Sequence, residues 1–440
     1  MLTGIFEAFS IPEVRKRAFF TLGAIAIFRL GSWLPIPGVD TARLHELFQS
    51  GGQLFGFLNL LTGGALQNFA LFSLGVIPYI NASIIMSLLQ SVVPRLKELN
   101  QQGEEGRRVI NRYTRYGTVG LAILQALGYA YVLQNLGLVL AGQNMLQFYL
   151  IAVIAMTAGT MYLMWLGERI TENGIGRGIS MIIMIGIIAT YPAYVNQDYT
   201  SIASGSAHPL WALVMIATYI VIVAGVVIVQ LGARRIEIQY AKRMVSGRIY
   251  GGQNTYIPFG VNQGGVIPII FAAAILTIPA TVLGLPAVND LVAGAPDFVQ
   301  NLSFDLQRGG WLYLTLYALL IIFFTYFYSA IVFNPRDLAD NLRKWGGFVP
   351  GIRPGKPTSD YVERIQNRLL FIGGLFLAAI ALLPFIIGDL SGLAAGRLGG
   401  TSILIVVGVG VDTLKQIEAH MVERHYESLI QKGAVLGRRI

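Results

Sequence analysis

Apolar stretches long enough to cross a bilayer recur along almost the whole of this 440-residue chain. A helix needs about 20 such residues to cross a hydrocarbon core of about 30 Å. Inside that core every backbone N–H and C=O must be bonded within the protein, which leaves helices or closed barrels. Continuous apolar runs of this length, without strict alternation, select helices. Nine stretches qualify, near residues 18–34, 73–93, 116–134, 147–166, 178–195, 210–231, 265–285, 311–333 and 369–388. A tenth, near 400–419, is shorter and broken by glycine between Ile403 and Val411. The stretch 54–72 is apolar too, but Thr62-Gly63-Gly64 interrupts it and Asn59, Gln67 and Asn68 lie within it. It reads as a re-entrant segment, tolerated at membrane depth only where protein or a cavity covers it. The expected fold class is all-α polytopic, with about ten spans. Only 12% of the residues are charged, against about 25% in soluble domains. The run after Arg15-Lys16-Arg17 has no small-residue cleavage site, so it reads as a retained first span.

Lysine and arginine in short loops mark the cytoplasmic side. With ten spans, the N-terminus and the segments 94–115, 167–177, 232–264, 334–368 and 412–440 share one side and hold 28 of the 32 basic residues. The other side holds Arg43, Arg308 and Arg397, and Arg29 lies inside the first span. Both termini are therefore expected in the cytoplasm. Topology control accounts for most of these charges. The two long segments, 232–264 and 334–368, exceed what topology needs and suggest an electropositive docking face.

Gly75-Val76-Ile77-Pro78-Tyr79-Ile80-Asn81-Ala82-Ser83-Ile84-Ile85 and Gly265-Val266-Ile267-Pro268-Ile269-Ile270-Phe271-Ala272-Ala273-Ala274-Ile275 match at seven of eleven positions. Each opens the second span of a five-span half. Five is odd, so the second half enters the membrane from the opposite side, the mark of an inverted repeat. The halves are expected at 1–200 and 201–440, with the second and seventh spans as counterparts.

Familiar chemistry is missing. There is no G-x-x-x-x-G-K-[ST] loop, no H-E-x-x-H and no G-x-S-x-G. Cysteine is absent and the four histidines are scattered, so no thiolate or clustered metal site is expected. No enzyme activity or cofactor is expected. No acid sits at the centre of a span, where ion-coupled transporters hold theirs. Ile80, Ile84, Ile85, Ile183, Ile187, Ile275, Leu276, Ile403 and Ile405 lie near span centres. Such residues are ordinarily core or lipid-facing, but a ring of them can close a pore by dewetting.

Several motifs together resemble the SecY family, the central subunits of the protein-translocation channel. They are Phe69 to Leu89 (FALFSLGVIPYINASIIMSLL), Gly167 to Gly176 (GERITENGIG), Arg234-Arg235-Ile236 through Tyr240-Ala241-Lys242-Arg243, Phe348 to Gly355 (FVPGIRPG), Gly399-Gly400-Thr401-Ser402 and Tyr426-Glu427-Ser428. They run in order along the whole chain, and the Ile-Arg-Pro-Gly form looks bacterial. The resemblance implies two five-helix halves clamped by SecE, with a lateral gate between the second and seventh spans, at Tyr79, Asn81, Ser83 and Thr277. It implies a plug over about 57–69, with Leu58, Leu61, Thr62, Gly63, Gly64 and Leu66. It implies a pore ring of Ile80, Ile84, Ile183, Ile187, Ile275 and Ile405, with Leu276 as the alternate to Ile275.

Such a ring offers no hydrogen bonds or charge, so it can close on a passing strand without selecting its sequence. In 232–264, Ile236, Ile238 and Tyr240 alternate with polar residues before Gly247 and Gly251-Gly252, which predicts a projecting hairpin. The resemblance implies that the two long loops dock the ribosome and SecA through Arg235, Lys242, Arg243, Arg248, Arg343, Lys344, Arg353 and Lys356. Basic side chains suit RNA phosphates and acidic protein patches alike, so charge does not rank these partners. The other implied partners are SecG, precursor polypeptides with signal sequences and membrane lipid, with no DNA. The implied location is the bacterial plasma (inner) membrane. The rival reading is an inverted-repeat secondary transporter of a small solute.

Overall fold

The computed structural model describes residues 11–50, 59–140, 144–240, 243–245, 248–250, 254–283, 294, 296–308, 310–391, 393 and 399–437. Each of the ten apolar stretches lies on a helix: α1 (Pro12–Ser32), α3 (Ile77–Val92), α5 (Glu104–Asn135), α6 (Met145–Asn173), α7 (Gly178–Ala203), α8 (Pro209–Leu231), α9 (Ile267–Leu283), α11 (Trp311–Val332), α13 (Lys356–Ser391) and α14 (Gly399–Gly437). Seven are long and apolar enough by themselves to cross a membrane, and an eighth candidate is the bent pair Ile77–Gln90 and Pro94–Asn100. Arg15, Lys16, Arg17 and Arg29 lower the apolarity of α1. The glycines expected to break the last span do not interrupt α14.

Short helices fill segments read as loops: α2 (Thr41–Ser50), α4 (Pro94–Gln101), α10 (Asp297–Arg308) and α12 (Pro335–Lys344). Among the described residues the strands are β1 (Ala233–Tyr240), β2 (Arg243–Val245), β3 (Arg248–Tyr250), β4 (Asn254–Gly260) and β5 (Gly347–Phe348).

The chain divides into two compact units. The first comprises Met1–Ala207, Gly284–Gly294 and Ile405–Ile440. Its core forms because α5 carries Thr114, Thr118, Ala122, Ala126 and Ala130 at four-residue spacing, all buried. Small side chains on one face let a neighbouring backbone approach closely, the usual source of helix association where lipid is as apolar as leucine. Ala122, Ala126 and Ala130 share a core cluster with Phe148, Ala152 and Met156 of α6 and with Phe69 and Leu74.

The second unit comprises His208–Leu283 and Ala295–Leu404. β1 pairs antiparallel with β4, from Ala233 opposite Gly260 to Gln239 opposite Asn254. β2 and β3 form a smaller pair. The hairpin read from the alternating isoleucines is present, and Ile236 and Ile238 are buried. No pattern in residues 334–368 foretold that the other long loop would join it. β5 adds to the free edge of β1, with Gln239 opposite Phe348 and Tyr240 opposite Gly347. Ile236 and Phe259 then pack with Val349, Val362 and Ile365. The two segments read as separate docking loops are therefore one body, seated on the first turns of α13.

The internal repeat is structural as well as sequential. Gly75 has φ +56° and Gly265 has φ +60°. In each, the residue two further on starts a helix with proline in its first turn. An L-residue with a side chain rarely holds that φ, so both turns favour glycine. The span expected to begin near 73 therefore begins its helix at Ile77.

Candidate functional site

The interrupted stretch provides the most informative geometry. Residues 59–61 are helical, and turns occupy 62–69 and 71–76. Two of the polar residues that argued against a span, Asn59 and Gln67, are paired with each other. Gln67 N–H donates to Asn59 Oδ1 at 3.1 Å, and Asn59 Nδ2 donates to Gln67 Oε1 at 3.0 Å. Thr62 Oγ1 donates to Asn59 O at 3.1 Å and accepts from Leu66 N at 3.4 Å. A buried polar group left unpaired would cost about 1–3 kcal/mol, so this local network is what lets the segment be buried. Gly63 and Gly64 sit at φ +68° and +84°, the left-handed conformation expected of Thr62-Gly63-Gly64.

The base of the segment is pinned. Ile36 N–H donates to Phe69 O at 2.8 Å, and Leu71 N–H donates to Leu34 O at 2.9 Å. The Phe72 ring stacks between Phe28 and Tyr162, at centroid distances of 6.2 and 6.0 Å. Phe69 stacks on Phe148 at 6.3 Å. Gly31 and Gly159 make room: a Cβ at Gly31 would fall on the Phe72 ring, and one at Gly159 on the carbonyl oxygen of Leu71.

The tip rests on α7. A Cβ at Gly63 would lie 2.9 Å from Gly186 Cα, and one at Gly186 would lie 3.2 Å from Gly63 N and 3.4 Å from Leu61 O. Gly186 stands between Ile183 and Ile187, both buried. Two residues proposed for the ring thus flank the point where the proposed plug touches its own unit. Leu61, Thr62 and Leu66 are buried in the same segment, whereas Leu58 lies outside the described residues.

The remaining sequence-derived sites fall as follows. Ile84 and Ile405 are buried and Ile80 is half-buried. Ile275 is 40% exposed and Leu276, its alternate on α9, is 4% exposed. Tyr79, Asn81 and Ser83 are half-buried on α3. Thr277 lies on α9, its side chain outside the description, as are the side chains of Arg243 and Arg248, and Lys242 is itself outside the described residues. Arg235 is exposed and lies over the Tyr256 ring across the β1–β4 pair, 4.7 Å from its centroid. Arg343, Lys344, Arg353 and Lys356 are exposed. The Arg353 turn is closed by Thr358 Oγ1 donating to the Arg353 carbonyl at 2.8 Å, which leaves its guanidinium outward. Trp345, 75% exposed beside Arg343 and Lys344, was missed. A tryptophan directly after Arg343-Lys344 and before Gly346-Gly347 is a signal that the sequence already carried.

The GERITENGIG motif is explained by packing. Ile175 N–H donates to Thr21 Oγ1 at 3.0 Å, Gly176 N–H to Gln416 Oε1 at 2.9 Å and Gly178 N–H to Thr171 Oγ1 at 2.9 Å. Gly176 has φ +87°, and a Cβ at Gly178 would fall on the Gly167 carbonyl. The motif is a tight turn held by α1, α6 and α14.

Residues 70–414 match the SecY family model. The protein translocase subunit SecY of Thermotoga maritima is 46% identical over 98% of this chain and 99% of its own length. That of Thermus thermophilus is 42% identical, covering all of both chains. A solved protein-conducting channel superposes with TM-score 0.64 at 17% identity, over 95% of this chain and 97% of that one. Sec61 from a canine ribosome–channel complex gives TM-score 0.59 at 16% identity, over the same shares.

Proposed function

This chain belongs to the SecY family, and on that premise we propose that it is a protein-conducting channel of the bacterial plasma membrane, with cytoplasmic termini. It passes secretory polypeptides across the membrane and releases apolar segments sideways into lipid. The observation that carries the reading is the self-paired segment 59–67 seated on Gly186, between Ile183 and Ile187. In this reading the segment is the plug and those isoleucines, with Ile80, Ile84, Ile405 and Ile275 or its alternate Leu276, form the ring. Aliphatic side chains repel water from a narrow passage and bind no particular sequence. They can therefore seal against ions and still yield to a chain of any composition. A segment more apolar than the ring environment leaves for lipid by its own transfer free energy. Tyr79, Asn81 and Ser83 give α3 a weakly polar face, suited to a gate that parts readily.

The chain makes and breaks no bonds in this scheme. Energy comes from SecA hydrolysing ATP or from a translating ribosome, each docking on the shared body of β1, β4, β5 and the Arg353 turn. SecE and SecG complete the complex. A solute transporter is disfavoured, because no acid lies at a span centre.

The test is reconstitution. Proteoliposomes holding this chain with its small partner subunits should take up a secretory precursor into a protease-protected state, given SecA and ATP. Gradient-driven accumulation of a small solute without precursor uptake would overturn the proposal.

A further inference from the structure

Arg29 is the one charged side chain inside the first span, and its purpose is not set by topology. It lies on α1, half-buried, and its Nη1 donates to the carbonyl of Gly63 at 2.9 Å. Among the described residues it has no carboxylate within ion-pair distance. Gly63 O is available because the left-handed turn at Gly63 and Gly64 leaves it without a backbone donor among the described hydrogen bonds.

The pattern of bonds around the segment separates what is fixed from what can leave. Residues 69–76 are tied to α1 and its following turn by Phe69 O and Leu71 N and clamped by the aromatic stack. Residues 59–67 bond to one another through Asn59, Thr62, Leu66 and Gln67. Those bonds survive if the tip lifts as a unit. Ala70 N–H and Ser73 Oγ both donate to Ala65 O, at 3.0 and 3.1 Å, and join the segment to its base within the same stretch; Arg29 instead reaches in from another element, 34 residues away in sequence. Asn68 Nδ2 makes only a long contact, 3.5 Å, to Ser32 O. A hydrogen bond with one charged partner is roughly twice as strong as a neutral one. It is stronger still where water is excluded.

We propose that Arg29 is the latch of the plug, a positioning residue that holds the tip on Gly186 through the Gly63 carbonyl and releases it when a polypeptide enters. The latch uses a carbonyl, so it needs no particular side chain on the plug. It also gives the arginine a partner in the resting state, when no polypeptide fills the path. This proposal rests on reading 59–69 as the plug, and the test separates the two.

The chain has no cysteine, so Leu66→Cys, at a buried plug position, can be labelled without background. Its labelling rate by a membrane-impermeant maleimide, added from the trans side, reports how often the tip is off its seat. Arg29→Gln and Arg29→Leu remove the charge. Neutralising a charge within a span eases insertion, so both variants should assemble. The expected result is labelling about tenfold or more faster in both than with Arg29 intact. Arg29→Lys, which keeps charge and donor, should stay within about threefold of the parent. A stalled precursor should raise labelling in every background. If the neutral variants label no faster than the parent while the stalled precursor does raise labelling, the latch is overturned and the plug stands. If the stalled precursor does not raise labelling either, the plug reading itself fails.

Discussion

Gly186 offers the sharpest perturbation of the seal, because the helix and the plug respond to it in opposite directions. Glycine inside a helix is less favourable than alanine by about 0.8–1.0 kcal/mol, and leucine is nearly as good as alanine. Replacing Gly186 by either should therefore strengthen α7 itself. The space around it is another matter. An alanine Cβ would sit 3.2 Å from Gly63 N, 3.3 Å from Gly63 Cα and 3.4 Å from Leu61 O. The plug can give by a few tenths of an ångström, so Gly186→Ala should leave the seal nearly intact. Leucine adds three more carbons to ground already occupied by Gly63 and Leu61. Overpacking of this kind costs about 1–3 kcal/mol, and the cheapest relief is to lift the tip. At about 1.4 kcal/mol per tenfold, that is a five- to hundredfold rise in the unseated population. The assay is ion leak from proteoliposomes, read against thermal unfolding of the same preparations. Gly186→Leu should leak in that range with an undiminished unfolding temperature, and Gly186→Ala should not. Equal tightness of the leucine variant and the parent would refute the seat.

Other predictions follow from single contacts. Gly159→Ala drives a Cβ onto the Leu71 carbonyl, which is backbone and cannot swing aside; it should destabilise by about 1–3 kcal/mol. Gly120→Ala, with open space at its Cβ, should be neutral or stabilising in the same melt. Ser329 Oγ donates to Gln263 Oε1 and accepts from Gln366 Nε2, both at 2.8 Å. Ser329→Ala strips a partner from two glutamines and should cost about 1–3 kcal/mol, measurable by denaturant titration. Arg353→Glu should weaken SecA or ribosome binding about tenfold or more, as loss of a central arginine contact does, with unchanged thermal stability because the turn is closed by Thr358. Binding titrations with the purified channel decide it, and Trp345→Ala should act in the same direction.

What could be read from the sequence was whatever is encoded within one helix or one strand. The ten apolar stretches are each long enough to declare themselves. Gly75 and Gly265 marked the same left-handed turn because the repeat carried its own backbone requirement. Ile236 and Ile238 alternate on one strand and are buried as alternation implies. What depends on distant partners was not legible. Asn59 and Gln67 looked like flaws in an apolar stretch until each was seen to satisfy the other. Arg29 had no evident acceptor, since a carbonyl carries no signature in sequence. β5 is two residues long, too short for any pattern, and forms because β1 presents it an edge. Ile275 and Leu276 are adjacent and similarly apolar, so only the helix phase separates them.

The central claim is that a polypeptide travels past the isoleucines that the plug covers at rest. Photo-crosslinking tests it most directly, with a photoreactive residue in place of Ile80 or Ile183 and a secretory precursor stalled part-way through the membrane. Ile154 on α6, 66% exposed and absent from the proposed ring, serves as the control. Precursor adducts are expected at 80 and 183 and none at 154. Adducts absent from both 80 and 183, with the precursor shown to be engaged, would contradict it.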